Sequence, residues 1–125
     1  EGTHVEIDCR WIADKAFLEA TYTVRKKDHD ISSSTQIIGH DPATGQIMAW
    51  MFDSQGGRAE GIWTAGPGGW AIELVGITAD GTFTTAVNHL TKVEDALVWK
   101  SVARTAGGEP LPDINEVVLK RVKSN

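Results

Sequence analysis

About nine short segments alternate in hydropathy with a period of two, and each ends at a cluster of glycine, proline, aspartate or serine. A strand places successive side chains on opposite faces, so such segments are half-buried strands, and hairpin-length connections between them make sequential strands antiparallel neighbours. Residues 4–11 set His4, Glu6, Asp8 and Arg10 against Val5, Ile7, Cys9 and Trp11. In residues 16–26, Leu18, Ala20, Tyr22 and Val24 share one side. Residues 31–39 are rich in serine and threonine. Asp41, Pro42 and Gly45 mark a tight turn, because proline presets an early turn angle and glycine tolerates positive φ.

Residues 46–52 are apolar on both faces, Ile47, Ala49 and Met51 opposing Met48, Trp50 and Phe52, which predicts a central strand. Residues 53–57 turn again. Strands are expected over 58–64, 70–78, 82–93, 96–104 and 113–122. Apolar spacing over 90–98 also fits a 3.6-residue period, but alternation on both sides of Glu94 and Asp95 favours two strands. The expected fold is all-β: an antiparallel up-and-down meander of about nine strands forming a barrel or half-barrel in a single domain spanning residues 1–125.

Composition narrows the partners. A net charge of −5 argues against nucleic acid or an anionic membrane, and no apolar run reaches the roughly 20 residues of a membrane-crossing helix. The single cysteine, Cys9, excludes an internal disulfide, and its apolar alternation predicts a buried thiol. No nucleotide-binding glycine loop, serine-hydrolase elbow or zinc-helix motif occurs, so binding is favoured over catalysis, and no catalytic residue, metal site or cofactor is expected.

The candidate ligand-binding residues are Trp50, Trp63 and Trp99, which supply flat apolar walls with an indole N–H apiece, and Arg10, Glu19, Glu60 and Arg104, which can hold a polar head group if they face a lumen. His89 is the one histidine well inside a strand; a haem-binding barrel would need one such residue. The expected ligand is a small, mostly apolar molecule. Core packing for the tryptophans, and exposed or structural ion pairs for the charged residues, are the bland counterparts.

The stretches CRWIADKAFLEATYTV (residues 9–24), IIGHDPATGQIMAWMFDSQGG (37–57), EGIWT (60–64), ADGTFTTAVNHLTKV (79–93) and GGEPLPDINEV (107–117) resemble the C-terminal lipocalin-like β domain of bacterial SgcJ/EcaC-family proteins, in which a SnoaL-like cone precedes that domain. His40 stands where the resemblance leads one to expect an aromatic residue. The resemblance implies a bacterial protein, of cytoplasm or periplasm. It also implies an additional strand just before residue 1, whose absence would leave an unpaired edge. A homodimer through that edge is therefore expected. The alternatives are an accessory or dimerisation domain of a SnoaL-like enzyme and a structural β domain with a filled core.

Overall fold

The computed structural model describes residues 3–27 and 29–121. Its elements are all strands: β1 (Thr3–Ile12), β2 (Phe17–Lys26), β3 (His29–His40), β4 (Ile47–Asp53), β5 (Arg58–Gly66), β6 (Gly69–Ile77), β7 (Phe83–Val93), β8 (Ala96–Ala106), β9 (Glu109–Pro110) and β10 (Ile114–Lys120). They form one antiparallel sheet in the order β1-β2-β3-β4-β5-β6-β7-β8-β10, with the two-residue β9 also paired to β8. The meander is as expected, and β4 lies inside the sheet between β3 and β5. Residues 90–98 are strand on both sides of a tight turn at Glu94 and Asp95. β3 begins at His29, two residues ahead of the serine- and threonine-rich stretch 31–39.

The barrel does not close. Among the described residues each strand touches only its ladder neighbours, which makes β1 and β10 the two edges of the sheet. A geometric reason lies in the strand number: eight successive antiparallel pairings separate β1 from β10, so the two edges run in the same direction. An antiparallel seam between them is impossible within one chain, because an all-antiparallel closed meander needs an even number of strands.

The register assigns side chains to faces, since directly opposed residues of an antiparallel pair point the same way. One face carries Ile7, Leu18, Ala20, Gln36, Ile38, Ala49, Gly61, Trp63, Trp70, Ile72, Leu90 and Trp99. The opposite face carries Glu6, Arg10, Glu19, Trp50, Arg58, Glu60, Val75 and His89. Among the described residues the buried apolar side chains, Ala20, Ala49 and Ile72, lie on the first face, as do the buried Gln36 and Ser101. Gly61 keeps that face tight: a Cβ there would stand 2.6 Å from Leu74 Cδ2 and 3.2 Å from Ile72 Cγ2.

With no second layer, burial stays shallow. The accessible surface is 8979 Å², against about 6,500 Å² for a compact monomer of this mass. The buried thiol expected of Cys9 is corrected accordingly: Cys9 is exposed, and Trp11 beside it on the apolar face of β1 is 61% exposed. Both sit on an edge strand with a neighbour on one side only.

Candidate functional site

A cluster of large apolar side chains lies at one end of the apolar face, where two hairpins meet. The β5–β6 hairpin turns through Pro67 and Gly68, pairing Gly66 with Gly69. Proline suits the first central position of such a turn, and the φ of +77° at Gly68 is the left-handed angle the second requires. The Lys92 amide donates to the Gly68 carbonyl at 3.1 Å, which fastens the hairpin tip to β7.

This register sets Trp63 opposite Ile72 and Trp70 opposite Ala65, so the two indoles are diagonal neighbours on one face. The small side chain of Ala65 leaves the room they need. Their rings meet edge to face, centroids 5.8 Å apart and planes at 69°, an arrangement worth about 0.5–1.5 kcal/mol beyond area burial. Leu90 opposes Trp70 on one side and Trp99 on the other. Trp63, Trp70, Leu90 and Leu97 line an open cleft of about 760 Å³, with Lys92 and Glu94 at its rim. The indole Nε1 of Trp63 is shielded from solvent and has no acceptor among the described residues.

A second, smaller hollow of about 230 Å³ lies where β2 and β3 meet the β4–β5 turn, lined by Tyr22, Ser32, Ser34, Asp53 and Ser54 among others. Tyr22 Oη accepts a 2.8 Å hydrogen bond from Gln36 Nε2, while Gln36 Oε1 is buried without a partner. Burial, and secondarily the charge of Cys9 nearby, raises the Tyr22 phenol above its ordinary pKa, with the Gln36 bond opposing them. Asp53 is spent on its turn, accepting from the amides of Gln55 and Gly57 at 2.9 Å each.

The residues singled out from sequence separate by face. Trp63 and Trp99 share the apolar face. Trp50, opposite Ile37 and Glu60, lies on the other face and does not join them. Glu60 is exposed between Trp50 and Val75. Arg10 and Glu19 oppose one another on that second face and form an ion pair, Nε to Oε1 at 2.6 Å, with the Arg10 side chain 73% exposed. Such a pair contributes about 0–1 kcal/mol and encloses no head group. His89, half-buried between Ala71 and Lys100, also faces away from the tryptophan cleft. Arg104 sits beside the register break in β8, donating from Nη1 to the Pro112 carbonyl at 3.0 Å. Among the described residues no group of three or more metal-ligating side chains converges, and no helix is long and apolar enough to cross a membrane.

Trp70, Leu90 and Leu97 complete the cleft and are not among the residues singled out from sequence. The signal was present: a two-residue turn pairing Gly66 with Gly69 fixes every later pair in that hairpin, putting Trp70 on the face of Trp63.

Comparison with known proteins adds no relative: no family model, no curated protein and no solved structure matches this chain.

Proposed function

We propose that this chain is a non-catalytic binding domain, related in kind to the lipocalin-like β domains its sequence resembles, and that it takes a small, mostly apolar molecule in the cleft of Trp63, Trp70, Leu90 and Leu97. The observation that carries this reading is the edge-to-face indole pair opening onto a cleft whose volume falls within the roughly 300–1,000 Å³ typical of small-molecule sites. Flat aromatic walls with aliphatic neighbours favour planar or aliphatic ligands, and the Lys92 and Glu94 rim suits a polar end left near solvent. The filled-core alternative draws little support from a face whose buried apolar side chains, among the described residues, are Ala20, Ala49 and Ile72. The accessory-domain alternative rests on the resemblance alone.

The test is a titration of intrinsic tryptophan fluorescence and melting temperature against fatty acids, sterols, aromatic metabolites and haem. A ligand at a hundred times its Kd stabilises the chain by about 2.7 kcal/mol, visible as a rise in Tm. Trp70→Ala is expected to weaken binding about tenfold, because the partly exposed Trp70 supplies one aromatic wall. Trp50→Phe, on the other face, should leave affinity unchanged. Equal losses in both variants, or a panel that moves neither signal, would remove the cleft as the site.

A further inference from the structure

The two free edges of the sheet are not alike. Natural sheets protect an edge with short strands, bulges, prolines or charged side chains, lysine above all. β10 has such protection: seven residues long, it breaks register between Ile114 and Val117, follows Pro112 and ends in Lys120, and β9 beside it contains Pro110. Of these β1 has charged side chains alone. Its ten residues, THVEIDCRWI, pair one to one with β2 from Thr3↔Lys26 to Ile12↔Phe17 without a bulge, glycine, proline or lysine. On its apolar face Val5 and Trp11 remain 41% and 61% exposed.

We propose that β1 pairs antiparallel with β1 of a second copy of this chain, across a two-fold axis at Cys9. Two edges of the same strand become antiparallel under a two-fold axis normal to the sheet, so a second copy supplies the seam that the parallel β1 and β10 edges cannot make within one chain. Such an axis keeps both apolar faces on one side and must pass through a residue opposed to itself. Charge then selects which residue. An axis at Ile7 sets Glu6 against Asp8 of the second copy, and an axis at Glu6, Asp8 or Arg10 sets a charge against its own image. An axis at Trp11 overlaps only residues 10–12, and one at Val5 overlaps residues 3–7 and leaves the exposed Trp11 uncovered. With the axis at Cys9, residues 6–12 overlap, Asp8 faces Arg10 of the second copy twice over, and Ile7 covers Trp11 of the second copy. The surface that the single chain leaves open, 8979 Å² against about 6,500 Å² for a compact monomer, is the background against which such cover is needed.

The native cysteine reports on this seam. Directly opposed residues in an antiparallel pair have Cα atoms about 4.5–5.5 Å apart, within the span a disulfide bridges. Treating the full chain with diamide at about pH 9 converts two Cys9 thiols into one disulfide while the azo group takes up the two hydrogens. The alkaline pH compensates for the raised Cys9 pKa, which comes from partial desolvation against the sheet and then from the Asp8 charge. Sedimentation at tens of micromolar is expected to give a dimer, and diamide to convert most of it to a covalent dimer. Asp8→Lys, at an exposed position, replaces both attractions with repulsion and should weaken association and slow cross-linking at least tenfold. That slowing would run against its effect on the thiol, since losing a neighbouring anion favours the reactive thiolate. Far-ultraviolet circular dichroism checks that the variant keeps its strands. A monomer of 13.5 kDa that does not cross-link, a dimer in which Cys9 stays reduced, or an Asp8→Lys chain that cross-links at the parent rate overturns the proposal.

Discussion

Tyr22 is the only tyrosine in the chain, so its ionisation can be followed without interference. The phenol is half-buried on the apolar face and accepts from Gln36, itself 2% exposed. Burial chiefly, with the charge of Cys9, lifts its pKa above the ordinary value of 10.0. The unfolded chain therefore loses this proton first. The stabilisation is fully present below about pH 10, the unfolded value, and is lost as pH rises through the folded pKa. Tyr22→Phe should cost about 1–2 kcal/mol at neutral pH, because Gln36 Nε2 is left buried without an acceptor. That difference from the parent should shrink in strongly alkaline solution. Phenolate absorbance in the folded chain should show a midpoint above that in denaturant; a midpoint equal or lower would contradict the buried environment.

At the scale of the element, the β1–β2 hairpin contains backbone strain. Ala13, Asp14 and Lys15 have φ values of 50°, 57° and 68°, and the turn is closed by Ala16 N–H donating to the Ala13 carbonyl at 3.1 Å. Left-handed backbone costs a residue other than glycine about 1–2 kcal/mol. Glycine adopts it freely but loses more entropy on folding, which offsets part of the gain. Lys15→Gly is thus expected to raise stability by about 0.5–1 kcal/mol, read as a higher urea midpoint at unchanged slope. A lower midpoint would mean that the turn does not hold this conformation. The same hairpin shows what a sequence makes legible. Alternation located the strands, and hairpin-length connections gave their order. Faces needed one more step, the register set by each turn. Trp63, Trp70 and Trp99 fall on one face and Trp50 on the other only once residues 66 and 69, or 50 and 60, are placed opposite one another. The period of two alone cannot carry that phase across a loop. The exposure of Cys9 was hidden for a different reason: an apolar alternation reads the same in an edge strand as in a central one, and the edge is a property of the whole sheet.

Closure was the feature of the whole molecule that local pattern could not supply. Each hairpin is satisfied by its neighbours alone, and nothing in their chemistry counts strands. The count decides the outcome, since an odd path leaves parallel edges and an open layer. An open layer has a thermodynamic signature. The unfolded chain exposes about 1.45 Å² per dalton, so this fold removes about four-fifths of the surface that a compact monomer of the same mass would. The heat capacity of unfolding follows the surface exposed. A compact chain of 125 residues should give about 1.6 kcal/mol/K, and this sheet as a monomer about 1.3. Scanning calorimetry across a hundredfold range of protein concentration separates the states. At the dilute end the lower value is expected. At the concentrated end, where a second copy covers part of the open surface, the heat capacity change per chain should increase and Tm should rise with concentration, because dissociation accompanies unfolding. A chain whose Tm ignores concentration while its heat capacity change already matches the compact value has buried its apolar face by some means within itself, and the open single layer would then not be its state in solution.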